Sequence, residues 1–322
     1  MKMSELKFEC APMEGVTDFI FRQMQAKYFA SADKYYTPFI SPTANHLMTP
    51  RQLREILPEH NEGLPVVPQL LGHNAEDFLW AANELKAMGY GEVNFNLGCP
   101  SGTVVTKKKG SGFLIDLSEL DRFFDEVFSK AELRISVKTR IGLKNSEDFE
   151  KILEVYNKYP LAELIVHPRI QAQQYTGKPD MSAWETAVKN CRAPLCYNGD
   201  LFDKSAVERF AEKYDSVKSV MLGRGLAANP GLISGIKGEK PDKNAFEAFH
   251  NEIFERNRER MGADKPLLLH MKEFWFYYSH SFENVEKPLK AIRKSQNAAD
   301  YESAVKDFFS KCPLRPEPGF YI

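Results

Sequence analysis

Val93-Asn94-Phe95-Asn96-Leu97-Gly98-Cys99-Pro100-Ser101 reads as a strand that runs into a placed thiol. Val93, Phe95 and Leu97 alternate with Asn94 and Asn96, so a period of two sends apolar side chains to one face and amides to the other. Two successive amides on one face of a buried strand need hydrogen-bond partners, which ordinary sheet filling does not require. Gly98 ends the strand and admits a close approach to the backbone, and Pro100 fixes the chain directly after Cys99. The thiol is therefore predicted at the C-terminal edge of a strand, where α/β proteins keep their chemistry. A lone cysteine is by default a small buried hydrophobe. Amides before it, Gly beside it and Pro after it describe a residue at a loop mouth instead.

Outward from this strand, apolar and β-branched runs alternate with helical patterns. Strands are predicted to end near Met13, Phe39, Leu71, Leu97, Lys138, His167, Asn198 and Leu222. Helical spacing falls at 17–29, 51–57, 74–88, 117–129, 146–159, 183–189 and 203–214, with Asn74, Ser146 and Asp203 placed as N-caps. Eight βα units of roughly 30 residues imply a parallel barrel or a doubly wound sheet. The barrel is favoured, because eight is its strand number and no Gly-x-Gly-x-x-Gly follows the first strand. The longest connection, from Pro100 to Asp116, carries Lys107, Lys108 and Lys109 and is predicted to be an irregular functional loop.

Past Arg224 the rhythm breaks at Asn229-Pro230-Gly231 and at 237–243, and the rest is helical in pattern at 246–260, 267–279, 285–293 and 301–309. The expected architecture is an α/β (β/α)8 TIM barrel over 1–237 followed by an all-helical domain over 238–322. With 43% hydrophobic and 12% aromatic residues in 322, there is ample material for a core, which excludes a disordered chain. A net charge of −1 gives no global attraction to nucleic acid, so a polyanion would need a local patch. The stretch Met1–Cys10 alternates charged and apolar residues and holds no apolar run long enough for a membrane span or signal sequence, so a cytoplasmic protein is expected. Five cysteines without close pairing argue against a disulfide framework and a zinc site, and Cys10, Cys191, Cys196 and Cys312 are read as structural thiols.

A barrel draws its site from several strand ends, so these are read together. They supply Pro12, Met13 and Glu14; Gln69; Lys138 and Arg140; His167 and Arg169; Asn198, Gly199 and Asp200; and Gly223 and Arg224. Singly, each has a plain explanation as a solvated charge, a bonded filler or a turn. Converging on one mouth, cations and amides describe a site for an anionic cofactor, with Gly-containing turns after the last two strands for a phosphate. Lys138 is suited to the N1–O2 edge of a flavin ring, where negative charge collects on reduction, and Gln69 to its amide edge. This points to flavin mononucleotide, with no metal constellation.

Asn96-Leu97-Gly98-Cys99-Pro100-Ser101 resembles the central motif of the tRNA-dihydrouridine synthases, flavoenzymes that reduce uridines in transfer RNA. Pro12-Met13-Glu14-Gly15, Gln69, Val137-Lys138-Thr139-Arg140, His167 with Arg169, Asn198-Gly199-Asp200 and Gly223-Arg224-Gly225 resemble it further, in order and spacing. The family usually carries Asp where this chain has Asn94. Over the tail, His270-Met271-Lys272 and the aromatic run at 274–278 resemble the family's RNA-binding bundle only in general pattern. The resemblance implies FMN held by the strand-end residues, NADPH or NADH as reductant, and hydride transfer to C6 of a uracil with Cys99 giving a proton to C5. It further implies a flipped base held by Asn96, Arg140 and Arg169, the three lysines on RNA phosphates, and a monomer acting without metal or membrane.

Two rivals are weighed. A small-molecule flavin oxidoreductase of the dihydroorotate dehydrogenase type shares barrel, flavin and acid–base logic but needs neither helical appendix nor lysine loop. A non-catalytic tRNA-binding module would have no need of Cys99 and Lys138.

Overall fold

A computed structural model describes residues 5–321. Its strands are β1 (Lys7–Cys10), β2 (Lys34–Tyr36), β3 (Val66–Val67), β4 (Gln69–Leu70), β5 (Glu92–Leu97), β6 (Arg134–Arg140), β7 (Leu164–His167), β8 (Leu195–Tyr197) and β9 (Ser219–Leu222). All pair in parallel, in the order β3-β2-β1-β9-β8-β7-β6-β5-β4. β3 and β4 are one barrel strand interrupted at Pro68, which has no N–H to give the ladder. The first piece pairs with β2 and the second with β5, while Asn94 N donates to Pro68 O at 2.8 Å, so the ring of strands closes. This is the expected eight-membered barrel.

Helices return the chain between strands: α1 (Phe19–Tyr28), α2 (Pro50–Ile56), α3 (Ala75–Ala87), α4 (Gly102–Val105), α5 (Leu117–Lys130), α6 (Phe149–Tyr156), α7 (Met181–Asn190) and α8 (Lys204–Lys213). Asn74 and Asp203 cap as expected, accepting from Asp77 N and Ala206 N. Ser146 does not; it opens a one-turn 3-10 helix that leads into α6. β1 stops at Cys10 rather than near Met13, because Met13 N turns to Thr17 Oγ1 at 2.8 Å and the chain bends toward α1. β2 stops at Tyr36 rather than near Phe39, just before Pro38. The stretch after Pro100 is not irregular: α4 and a 3-10 helix over Gly110–Ile115 fold it back onto the barrel mouth.

Charged side chains close the barrel interior from the N-terminal ends of the strands. Lys34 Nζ lies 3.2 Å from Glu92 and 3.1 Å from Glu163, and Glu163 also accepts from Tyr36 Oη and Ser219 Oγ. Glu9, Glu163 and Cys196 bring ligand-type atoms within 4.8 Å of one another, and Lys34 supplies the positive charge there. Burial, and then the Glu163 carboxylate, hold the Glu9 carboxyl well above the usual range, so it is a neutral acid inside this plug.

After α9 (Arg224–Ala228) and α10 (Leu232–Ile236) come α11 (Lys243–Met261), α12 (Asp264–Tyr278), α13 (Glu286–Lys294) and α14 (Ala298–Lys311). α11 lies on α1: Phe249 meets Phe21 and Phe29 edge-on, and Arg260 pairs with Asp18 at 3.1 Å. Ser281 Oγ donates to Ala228 O, and Asn229 Nδ2 to Pro318 O. One continuous hydrophobic core runs through barrel and helices. Among the described residues, no helix is long and apolar enough to cross a membrane.

Candidate active site

The C-terminal ends of the strands and the 276–277 stretch of α12 enclose a cavity of about 460 Å³. Pro12, Met13, Glu14, Gln69, Asn96, Cys99, Lys138, Arg140, His167, Asn198, Gly199, Gly223 and Arg224 all line it. Arg169, Asp200, Lys107, Lys108 and Lys109 do not.

Cys99 sits in a turn whose backbone groups are all engaged. Asn96 Oδ1 accepts from Gly98 N at 3.0 Å and from Cys99 N at 2.9 Å. Arg140 Nε donates to Gly98 O at 3.0 Å, Ser111 Oγ to Cys99 O at 2.8 Å, and Gln171 Nε2 to Pro100 O at 2.9 Å. Gly110, with φ +56°, is the point where the returning loop touches the thiol: a Cβ there would lie 2.9 Å from Cys99 Cβ. Burial pushes the Cys99 thiol above its ordinary pKa, more than Arg140 and Lys138 pull it down, so it stays protonated at neutral pH.

Lys138 points into the cavity from β6 and has no anionic partner among the described residues. Burial, and then the Arg140 guanidinium, hold its pKa down to about 8. His167 is held neutral by burial and by Arg140, Lys138, Arg169 and Arg224. A half-buried ammonium without an anionic partner, in a cavity that it shares with the amides of Gln69, Asn96 and Asn198 and the cations Arg140 and Arg224, fits an anionic ring edge, so the residues present suit a flavin.

Two expectations need correction. Arg169 is 1% exposed and fully engaged: its donors go to both Asp200 oxygens, His167 Nε2, Thr176 O and Gly177 O, which leaves none for a base. Asp200 in turn bridges Arg169 and Arg224 (2.8 Å to Arg224), so it orients the arginines rather than reaching a cofactor. Gly199 lines the cavity, and a Cβ there would collide with the phenol of Tyr197. Of the loop lysines, Lys107 and Lys108 are exposed while Lys109 donates to Ser41 Oγ at 3.0 Å.

The structure adds wall residues that sequence reasoning missed. Tyr175 is 56% exposed at the mouth, its ring 5.4 Å from Arg140 Cζ and 5.2 Å from Arg224 Cζ, following Gln174 at φ 48°, ψ −101°. Tyr277 and Phe320 also line the cavity, and Arg224 Cζ lies 5.5 Å from the Phe320 ring. No local pattern marks Tyr175 or Phe320, because both arrive from loops.

Residues 9–312 match the family model described as dihydrouridine synthase (Dus). The chain belongs to the dihydrouridine synthase family. A "Probable tRNA-dihydrouridine synthase" of Staphylococcus aureus (strain MRSA252) is 32% identical over 313 residues, covering 94% of this chain and 92% of that one. A "Probable tRNA-dihydrouridine synthase 1" of Synechocystis sp. is 30% identical over 230 residues, covering 70% and 63%. In fold the chain is similar to the old yellow enzyme homologue from Zymomonas mobilis (TM-score 0.51, 15% identity, 73% of this chain and 89% of that one). It is similar to the old yellow enzyme from Trypanosoma cruzi to the same extent (0.51, 12%, 73% and 89%). For a member of the dihydrouridine synthase family, the cavity around Cys99 and Lys138 is the candidate active site.

Proposed function

We propose that this protein reduces the C5–C6 double bond of uridines in tRNA, holding FMN in the cavity and drawing electrons from NADPH or NADH. The observation that carries this reading is a protonated, immobilised thiol at the mouth of a cavity whose base holds the unpaired Lys138. When bound, the flavin supplies hydride for C6. Lys138 and Gln69 would hold its ring edge, Met13 and Pro12 pack on it, and Gly223 with Arg224 take the phosphate end. Cys99 gives its proton to C5, and Asn96, Arg140, Gln171 and Ser111 keep the thiol's backbone fixed while it does so. Arg140 also lines the mouth, where it can orient a base brought out of the RNA stack. The helical segment over 238–322 orients the tRNA, and the exposed Lys107 and Lys108 meet its phosphates in a cytoplasmic setting.

Mass spectrometry of the group released from the purified protein is expected to find the mononucleotide; no flavin, or the dinucleotide, sinks the cofactor assignment. The sign of its pH dependence follows from Lys138. The ammonium is present below about pH 8 and is lost above it, so FMN affinity should weaken as pH rises through that value. Lys138→Met should bind more weakly below that value, approach the parent above it and lack that step.

A further inference from the structure

The amide face of β5 carries a hydrogen-bond series that reaches the thiol from a residue outside the cavity. Asn96 Nδ2 donates to Gln69 Oε1 at 2.7 Å, Gln69 Nε2 to Asn94 Oδ1 at 2.7 Å, and Asn94 Nδ2 to Ser136 Oγ at 3.0 Å. With Gly98 N and Cys99 N donating to Asn96 Oδ1, the bonds run head to tail across three adjacent strands. The ladder register sets this up, since Gln69 faces Asn94 and Asn94 faces Ser136. Asn94, Gln69 and Ser136 are fully buried.

A head-to-tail series has one sense. If Asn94 turned its amide over, its nitrogen would face the Gln69 nitrogen. Gln69, turning in response, would bring its own nitrogen onto Asn96 Nδ2. Donor would face donor in a buried site, and Asn96 would have to turn as well, taking its oxygen away from Cys99 N. Asn94 and Ser136 do not line the cavity, whereas Gln69, Asn96 and Cys99 do.

We propose that Asn94 is a positioning residue for this reaction: through Gln69 and Asn96 it fixes both the amide presented to the cofactor and the turn that aims Cys99. This rests on reading Cys99 as the proton donor. Asn94→Leu keeps the branched shape and strips both polar ends, leaving Gln69 Nε2 without its acceptor. Asn94→Asp keeps an oxygen toward Gln69, and the Ser136 hydroxyl can rotate to donate to the other.

The test is site-resolved alkylation of Cys99 by iodoacetamide in the folded holoprotein, alongside kcat and KM on tRNA. In Asn94→Leu, the loosened turn should raise Cys99 alkylation and lower kcat, each by about tenfold, with KM unchanged. Asn94→Asp should behave like the parent. Asn94→Ser, too short to reach Gln69, serves if the Leu variant is not recovered folded. Parent-like alkylation and kcat in a folded Leu or Ser variant, with only melting temperature reduced, would make Asn94 mere packing and overturn the proposal. An Asp variant that fails like the Leu variant overturns it too. If the parent itself makes no dihydrouridine, the functional reading falls, while the alkylation comparison still decides the series.

Discussion

Cys99→Ala is expected to retain flavin and its reduction by NADPH while losing tRNA-dependent reoxidation by about 10²- to 10⁴-fold, the usual cost of removing a positioned acid. The separation follows from what each half-reaction asks of the protein. Passing hydride from a nicotinamide requires no protein acid. Completing reduction of the uracil requires a proton at C5. His167 and the arginines are poorly suited to giving it, since His167 is held neutral by burial and the surrounding cations, and the arginines are committed cations. Cys99 is a neutral acid at the cavity, its thiol kept protonated by burial and its backbone held on all sides. Stopped-flow absorbance, with NADPH and then with tRNA, reads the two steps separately. A variant that makes dihydrouridine at the parent's rate removes Cys99 from the role of acid.

Gly110→Ala should be nearly as damaging, although Gly110 takes no part in the chemistry. Its φ of +56° disfavours any side chain by roughly 1 kcal/mol. The added Cβ would also lie 2.9 Å from Cys99 Cβ, 3.0 Å from Cys99 O and 3.0 Å from Val104 Cγ1. Something must shift, and the movable partner is the loop itself, which carries Ser111 away from Cys99 O. A displacement of this kind costs on the order of 10²-fold in turnover with flavin content unchanged. Gly102→Ala, eight positions earlier on the same loop, meets nothing within 4 Å and should be silent, which separates clash from general loop perturbation. Steady-state assays of the two variants side by side make the check, and equal rates would mean that the loop does not hold the thiol.

The strand-end residues were legible because barrel chemistry obeys a rule that sequence order exposes: short motifs after each apolar run must converge. Met13, Gln69, Lys138, His167 and Arg224 reach one cavity for that reason. What the chain does not disclose is how convergent groups share partners. Arg169 looks free in sequence, yet β7 places it beside Asp200, and a buried guanidinium takes every acceptor in reach. The lysine run stays exposed at Lys107 and Lys108, but Gly110-Ser111-Gly112, directly after it, packs against the Cys99 turn. The signal was present in two glycines flanking a hydroxyl, a pattern that permits close backbone contact, and a Cβ at Gly112 would meet Val105 O at 2.6 Å. Tyr175 and Phe320 come from segments without periodicity, and their place at the mouth is set by tertiary packing alone.

On the proposed function, a flavin held by Lys138 would supply hydride and Cys99 a proton to uridine in tRNA. The most direct measurement incubates the purified holoprotein and NADPH with tRNA from cells lacking dihydrouridine, then digests the RNA and weighs its nucleosides. The expected result is a uridine heavier by two hydrogens at defined positions, absent when Cys99→Ala replaces the parent. Unchanged tRNA nucleosides from a protein whose flavin is bleached by NADPH would contradict the claim.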